Sequence, residues 1–144
     1  LKKHAIDTAL IADNTAAYLM SEQKINKVFV GADRIAKNGD TANKIGTFNL
    51  ALVSYYHKVP FYVVAPSSTF DLSVASGKDI TIEHRHGDEV LALQSKTIAP
   101  QGVKAYNPAF DVTPCEYISA FVTEKGSIYP PFTRTIHNAL SASF

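Results

Sequence analysis

Cysteine appears once in these 144 residues, as Cys115, and tryptophan is absent. A single thiol rules out an internal disulfide framework and a cysteine-rich zinc module, and it fits a reducing compartment. Net charge is also scarce: 14 Lys and Arg against 13 Asp and Glu leave a formal value of +1. That balance removes the electrostatic case for nucleic acid or an anionic membrane surface as the partner. Long apolar runs are missing; the Val59–Pro66 stretch is far too short to span a bilayer. Neither G-x-x-x-x-G-K-[ST] nor a G-x-G-x-x-G after a strand occurs, so nucleotide hydrolysis and NAD chemistry lack a motif. The sequence opens Leu1-Lys2-Lys3-His4, with no initiating Met and no secretory pattern. The expectation is a piece of a longer protein, placed in the cytoplasm with the nucleus also compatible.

What is present is enough hydrophobic material, 46% of residues, to bury the core of one ordinary domain. Asp13-Asn14 caps a brief helix through Ala17, Leu19 and Met20. Val28-Phe29-Val30 is a compact strand closed by Gly31, and residues 31–42 read as a polar loop. From Asn43, apolar residues at Ile45, Phe48, Leu52 and Tyr55 follow helical spacing and stop near His57-Lys58. Val59–Ala65 is the next buried strand. Two strands without alternation, joined by a loop and a helix, predict a parallel βαβ unit with its ligand crevice beyond the carboxyl ends of the strands. Further on, Val103–Tyr106 reads as a strand. Thr113-Pro114 reads as the start of a helix through Tyr117, Ile118 and Phe121, ending by Gly126, and Pro130-Pro131 as the opening of a last short helix. The fold class is α/β, one layered domain.

The strongest local candidate for chemistry runs from Gly31 to Lys44. Asp33 and Arg34 follow a buried strand, and Asn43-Lys44-Ile45-Gly46 opens the predicted helix. A lysine in a first helical turn is unfavourable beside the unpaired N–H groups until an anion binds between them, and phosphate is the natural guest. A cap from Asp40 or Thr41, with Lys44 in solvent, accounts for the same pattern and is the commoner arrangement. Asp33 has two readings as well: an acid/base group at the crevice, or a structural residue that pairs with Arg34 or caps a loop turn. His84 and His86 supply at most two ligands on an extended segment and read as exposed loop. Cys115, without a histidine partner, reads as a small buried hydrophobe.

Three blocks, VFVGADRIAKNGDTANKIGTFNLAL (Val28–Leu52), VPFYVVAPSSTFDLS (Val59–Ser73) and YNPAFDVTPCEYISAFVTEKG (Tyr106–Gly126), closely resemble the C-terminal half of the methylthioribose-1-phosphate isomerase family. The resemblance implies a Rossmann-like three-layer domain with a mainly parallel sheet, spanning residues 1–144, as the C-terminal half of a larger two-domain enzyme. It implies an aldose–ketose isomerase of methionine salvage that uses neither metal nor dinucleotide cofactor. Asp33 takes the catalytic position of the GADRI block, and Asn43 and Lys44 take the substrate-phosphate positions. The implied partners are the N-terminal fragment of the same protein, a second copy in a homodimer, and a small sugar phosphate. The family's catalytic cysteine lies in the absent half, so Cys115 does not inherit its role. Ribose-1,5-bisphosphate isomerases keep much of the same pattern. The regulatory subunits of the initiation factor 2B exchange factor share the fold and the NKIGT-like segment without the GADRI…NGD block.

Overall fold

Valine and phenylalanine runs that lack alternation fit strands enclosed by other elements, and here they build the centre of the molecule. The structure is a computed structural model and describes residues 2–94 and 96–141. In chain order its elements are α1 (Thr15–Ser21), β1 (Val28–Val30), β2 (Arg34–Ala36), β3 (Thr41–Lys44), α2 (Thr47–Tyr56), β4 (Phe61–Val64) and β5 (Phe70–Asp71). Then follow α3 (Asp88–Leu91), β6 (Ala92–Leu93), β7 (Lys96–Thr97), β8 (Phe110–Thr113), β9 (Ala120–Thr123), β10 (Gly126–Ile128) and α4 (Phe132–Ser141). The principal sheet has the order β1-β4-β9-β10. β1 pairs parallel with β4, Val28 opposite Phe61, and β4 pairs parallel with β9, Val63 opposite Phe121. β10 turns back antiparallel through Gly126, whose φ of 109° a glycine adopts without strain. This is the expected mixed α/β fold with a mainly parallel sheet.

Alternation along these strands puts Val28, Phe61, Val63, Phe121 and Ile128 on one face, all buried. The same core takes in Met20 of α1, Ala51 of α2, and Phe132 and Ile136 of α4. The Phe121 ring sits between Phe70 and Phe132, with centroids 5.4 and 4.7 Å away. The opposite face carries Phe29 and Tyr62, stacked at 5.2 Å, and Val64. Among the described residues that face stays open, with Phe29 60% and Val64 45% exposed.

A second sheet, ordered β5-β2-β3-β8, stands at the carboxyl end of β1. Residues 31–42, expected as a loop, contain the β2–β3 hairpin, with Arg34 opposite Ala42 and Ile35 opposite Thr41. The turn between the two strands fits the expected loop; the short strands on either side of it were not foreseen. They are two to three residues of useful pairing each, held by β5 and β8 rather than by their own propensity. The segment after Thr113 departs further from expectation. Only Cys115–Tyr117 turns helically, as one 3-10 turn, and residues 120–128 form the β9–β10 hairpin instead of a helix. Its Ala-Phe-Val-Thr run completes the parallel sheet, a long-range pairing that overrides the local helical spacing. Val103–Tyr106 is irregular, and the strand of this region is β8. The short helix after Thr15 and the last helix after Pro130-Pro131 form as expected.

Asp40, a candidate cap for α2, does other work. Its carboxylate accepts hydrogen bonds from the Asn38 side-chain amide (2.9 Å) and from the backbone N–H groups of Gly77 (2.9 Å) and Cys115 (3.0 Å). Partial burial opposes its charge, but these bonds outweigh that penalty and hold the carboxyl below its ordinary value. It thereby fastens the hairpin turn to two distant segments. The approach to Gly77 is so close that an added Cβ would lie 2.4 Å from Val112 Cγ1. Asp40→Ala is expected to destabilise the protein by about 2–3 kcal/mol at neutral pH, the scale of lost hydrogen bonds to a charged group. Because the folded pKa is depressed, the contribution is present above the unfolded value near ~3.9 and fades as the pH falls through the lower folded value. Denaturant titrations at pH 7 and pH 3 check this: the gap between wild type and variant should shrink at the lower pH.

Candidate active site

A parallel sheet ends with its strands' carboxyl ends along one edge, and the loops leaving that edge carry ligands in open α/β folds. Here β1 delivers Gly31, Ala32 and Asp33 to that edge. Asp33 is exposed and its backbone N–H donates to the Ala42 carbonyl at 2.9 Å. Arg34 pairs with Asp71 across β2 and β5 at 3.4 Å, so the expected structural alternative, an Asp33–Arg34 pair, does not form. Among the described residues the Asp33 carboxylate has no hydrogen-bonding or ionic partner.

Asn43 and Lys44 lie at the end of β3, not in the first turn of a helix. The helix begins at Thr47, after Gly46 with φ of 101° turns the chain out of the strand. A strand-to-helix elbow thus replaces the expected helix start. Its side chains are locked together: the Asn43 amide donates to the Thr47 hydroxyl at 3.0 Å, and that hydroxyl donates to the Lys44 carbonyl at 2.7 Å. In the β3–β8 ladder Asn43 stands opposite Asp111, and Lys44 opposite Phe110. Asp33 lies one residue before β2, at a bend, and its N–H reaches the carbonyl of Ala42, the residue opposite Arg34. Alternation therefore puts Asn43 and Asp111 on one face of the sheet end and sends Lys44 from the other. The exposed Lys44 ammonium rests 5.1 Å from the centre of the Phe110 ring.

The anion argument for the helix N-terminus also changes. Asp111 Oδ2 accepts from the Gly46 N–H at 2.7 Å and Oδ1 from the Phe48 N–H at 3.1 Å. Asp111, rather than Asp40 or Thr41, caps α2, and it supplies the negative charge that the helix start favours. Sequence reasoning missed it because the capping residue lies 65 positions beyond Gly46 and 63 beyond Phe48. The only local signal was that Gly46, just before the helix, has no side chain to cap with. Beside the elbow lies a cleft of about 680 Å³, lined by Lys44, Gly46, Asn49, Asp13, Asn14 and Ile11 among others. Lys44 borders it; Asp33 and Asn43 do not.

The remaining candidates fall outside this arrangement. His84 and His86 are exposed; His86 Nδ1 lies 3.2 Å from Asp88, and the His84 ring packs edgewise on Tyr106. Among the described residues no three His, Cys, Asp or Glu side chains converge as a metal site. Cys115 is half-buried; burial first, and the Asp40 carboxylate next, push its thiol up, so it stays protonated at neutral pH. Cys115→Ala is expected to leave turnover of the full-length protein within about threefold, since an activated nucleophile would instead cost orders of magnitude. Steady-state kinetics reads the difference.

Fold and site together define an open α/β domain of the Rossmann-like class, its polar groups gathered beyond the carboxyl end of the first parallel strand. A family model described as the initiation factor 2 subunit family matches residues 1–130, and the chain belongs to that family. It is 54% identical over 136 residues to a methylthioribose-1-phosphate isomerase of Fervidobacterium nodosum, covering 94% of this chain and 39% of that protein. With the enzyme of the same name from Geobacillus thermodenitrificans it shares 57% over 129 residues, 90% of this chain and 36% of that one. The crystal structure of 5-methylthioribose 1-phosphate isomerase from Pyrococcus horikoshii superposes with a TM-score of 0.92 at 46% identity, over 96% of this chain and 38% of that chain. That of translation initiation factor eIF-2B, subunit delta, from A. fulgidus gives 0.92 at 42% identity, over 99% and 41%. The chain thus spans about two-fifths of the length of the relatives it matches. No described helix is long and apolar enough to cross a membrane.

Proposed function

We propose that this chain forms part of a sugar-phosphate isomerase that converts 5-methylthioribose 1-phosphate to its ketose 1-phosphate. The observation that carries the reading is the unpartnered Asp33 carboxylate just before β2, with Asn43 and Lys44 ending β3, the strand that pairs with β2. The names of the isomerases it resembles support the substrate. A furanose with phosphate on its anomeric oxygen cannot open as a free hemiacetal does. Ring opening needs a proton at the ring oxygen, and the isomerisation then moves hydrogen between C2 and C1. Asp33 is the group to give or shuttle that proton. Asn43 and Lys44 hold the phosphate, the lysine as a point charge and the asparagine as a neutral donor. The second catalytic group, a cysteine, comes from the part of the longer protein that this chain lacks.

The open face of the principal sheet supports that division. Parallel sheets are covered on both faces, and Phe29 and Val64 leave part of one face of this sheet exposed. The rest of the longer polypeptide packs there and completes the pocket around Asp33; a second copy makes the homodimer. The test is turnover by the full-length protein with methylthioribose 1-phosphate and ribose 1,5-bisphosphate side by side. Conversion of the first alone is expected. Turnover only of the second reassigns the substrate, and turnover of neither leaves the regulatory-subunit reading that the A. fulgidus likeness supports.

A further inference from the structure

We propose that Asp111 is a positioning residue that sets the phosphate-holding elbow before any ligand arrives; the proposal rests on the isomerase reading above. The geometry is specific. Both carboxylate oxygens of Asp111 are engaged, one by the Gly46 N–H and the other by the Phe48 N–H, on either side of the first residue of α2. Asp111 also stands opposite Asn43 in the β3–β8 ladder. Asp111 therefore pairs through its place in the β8 ladder with the end of β3 and holds the start of α2 with its side chain, and Lys44 lies between those two fastenings.

Two consequences follow. The amides at Gly46 and Phe48 are already satisfied by an internal anion, so a substrate phosphate is held by side chains rather than by those helix N–H groups. Thr47, whose hydroxyl links the Asn43 side chain to the Lys44 carbonyl, is kept in register by the amides that flank it. Without Asp111, the substrate itself has to order this elbow, and that ordering reduces affinity without touching the chemical step. Asp33 is fastened separately, by its own N–H on Ala42.

Charge and position predict opposite signs, which makes the idea testable. Removing a carboxylate near a bound phosphate relieves repulsion, and through solvent this tightens binding by a few-fold at most. Losing two charge-assisted hydrogen bonds that order the site weakens binding about tenfold or more. Asp111→Ala in the full-length protein is expected to raise KM about tenfold with kcat within about threefold. Asp111→Asn keeps one acceptor oxygen and should fall between the two. Gly46→Ala offers a second route to the same elbow: open space surrounds the added Cβ, so its only insult is to the positive φ, and KM should rise again. If Asp111→Ala fails to fold, Asp111→Asn and Gly46→Ala carry the test. A lower melting temperature with unchanged KM, or a lower KM, in these variants overturns the proposal. Lys44→Ala run alongside separates the failures: a raised KM there with none in the Asp111 variants sinks this proposal alone, whereas no change in either sinks the phosphate reading beneath it.

Discussion

Asp33→Asn in the full-length protein is expected to lower kcat by about 10²–10⁴-fold with KM nearly unchanged, the scale of a lost acid/base group. The substitution is close to isosteric and removes the carboxylate's charge together with its capacity to exchange a proton. Structure costs little to lose here: the carboxylate has no partner among the described residues, and the bond that places the residue is made by its backbone N–H on Ala42. The melting temperature should therefore stay within a degree or so while turnover collapses. That combination separates a group spent on chemistry from one spent on folding, because a structural aspartate would lose both together. Steady-state kinetics and a thermal scan on one preparation suffice. A wild-type kcat in the Asp33→Asn enzyme removes Asp33 from the mechanism.

Lys44→Ala should produce the complementary pattern, a KM higher by about 10–100-fold with kcat largely kept. A phosphate that takes no part in bond-making is gripped equally in ground and transition states, so its loss shows in binding. One complication comes from the ring beneath the ammonium, since the lysine stem also covers Phe110. Lys44→Met retains that stem without the charge and should reproduce most of the effect. If instead Met restores wild-type KM, the residue works by packing. In a non-catalytic regulatory subunit neither Asp33 nor Lys44 touches an isomerase rate, so the pair of variants also decides between those readings.

Within the chain, local pattern was enough wherever an element is defined by its own residues. Val28–Val30 and Phe61–Val64 are apolar without alternation, and they pair in parallel, the first at the edge of the sheet and the second inside it. The break at Gly31 placed Asp33 at the carboxyl end of a strand, which is where it lies. The helix ending at His57 and the one after Pro130-Pro131 carried their own stop and start signals. The resemblance of the GADRI…NGD block then attached a role to Asp33 that its spacing could not.

Contacts between distant segments decided the rest. Residues 120–128 have apolar spacing that suits either period, and pairing of Val63 with Phe121 made them strand. Thr41–Lys44 became strand because β8, some seventy positions along the chain, pairs with it, as Thr41 with Thr113. In the sequence Asp40 reads as a candidate cap for the helix that follows it, and Asp111 carries no signal. Their use is to accept backbone N–H groups far away in sequence: Gly77 and Cys115 for Asp40, Gly46 and Phe48 for Asp111. A carboxylate's demand for donors is fixed by its chemistry, but which donors reach it depends on how the sheets are stacked. The sequence alone determined that an unhindered carboxylate would leave the end of a buried strand. Only the tertiary structure decided that the Asp33 carboxylate is left without a partner among the described residues while Asp40 and Asp111 are engaged by distant backbone N–H groups.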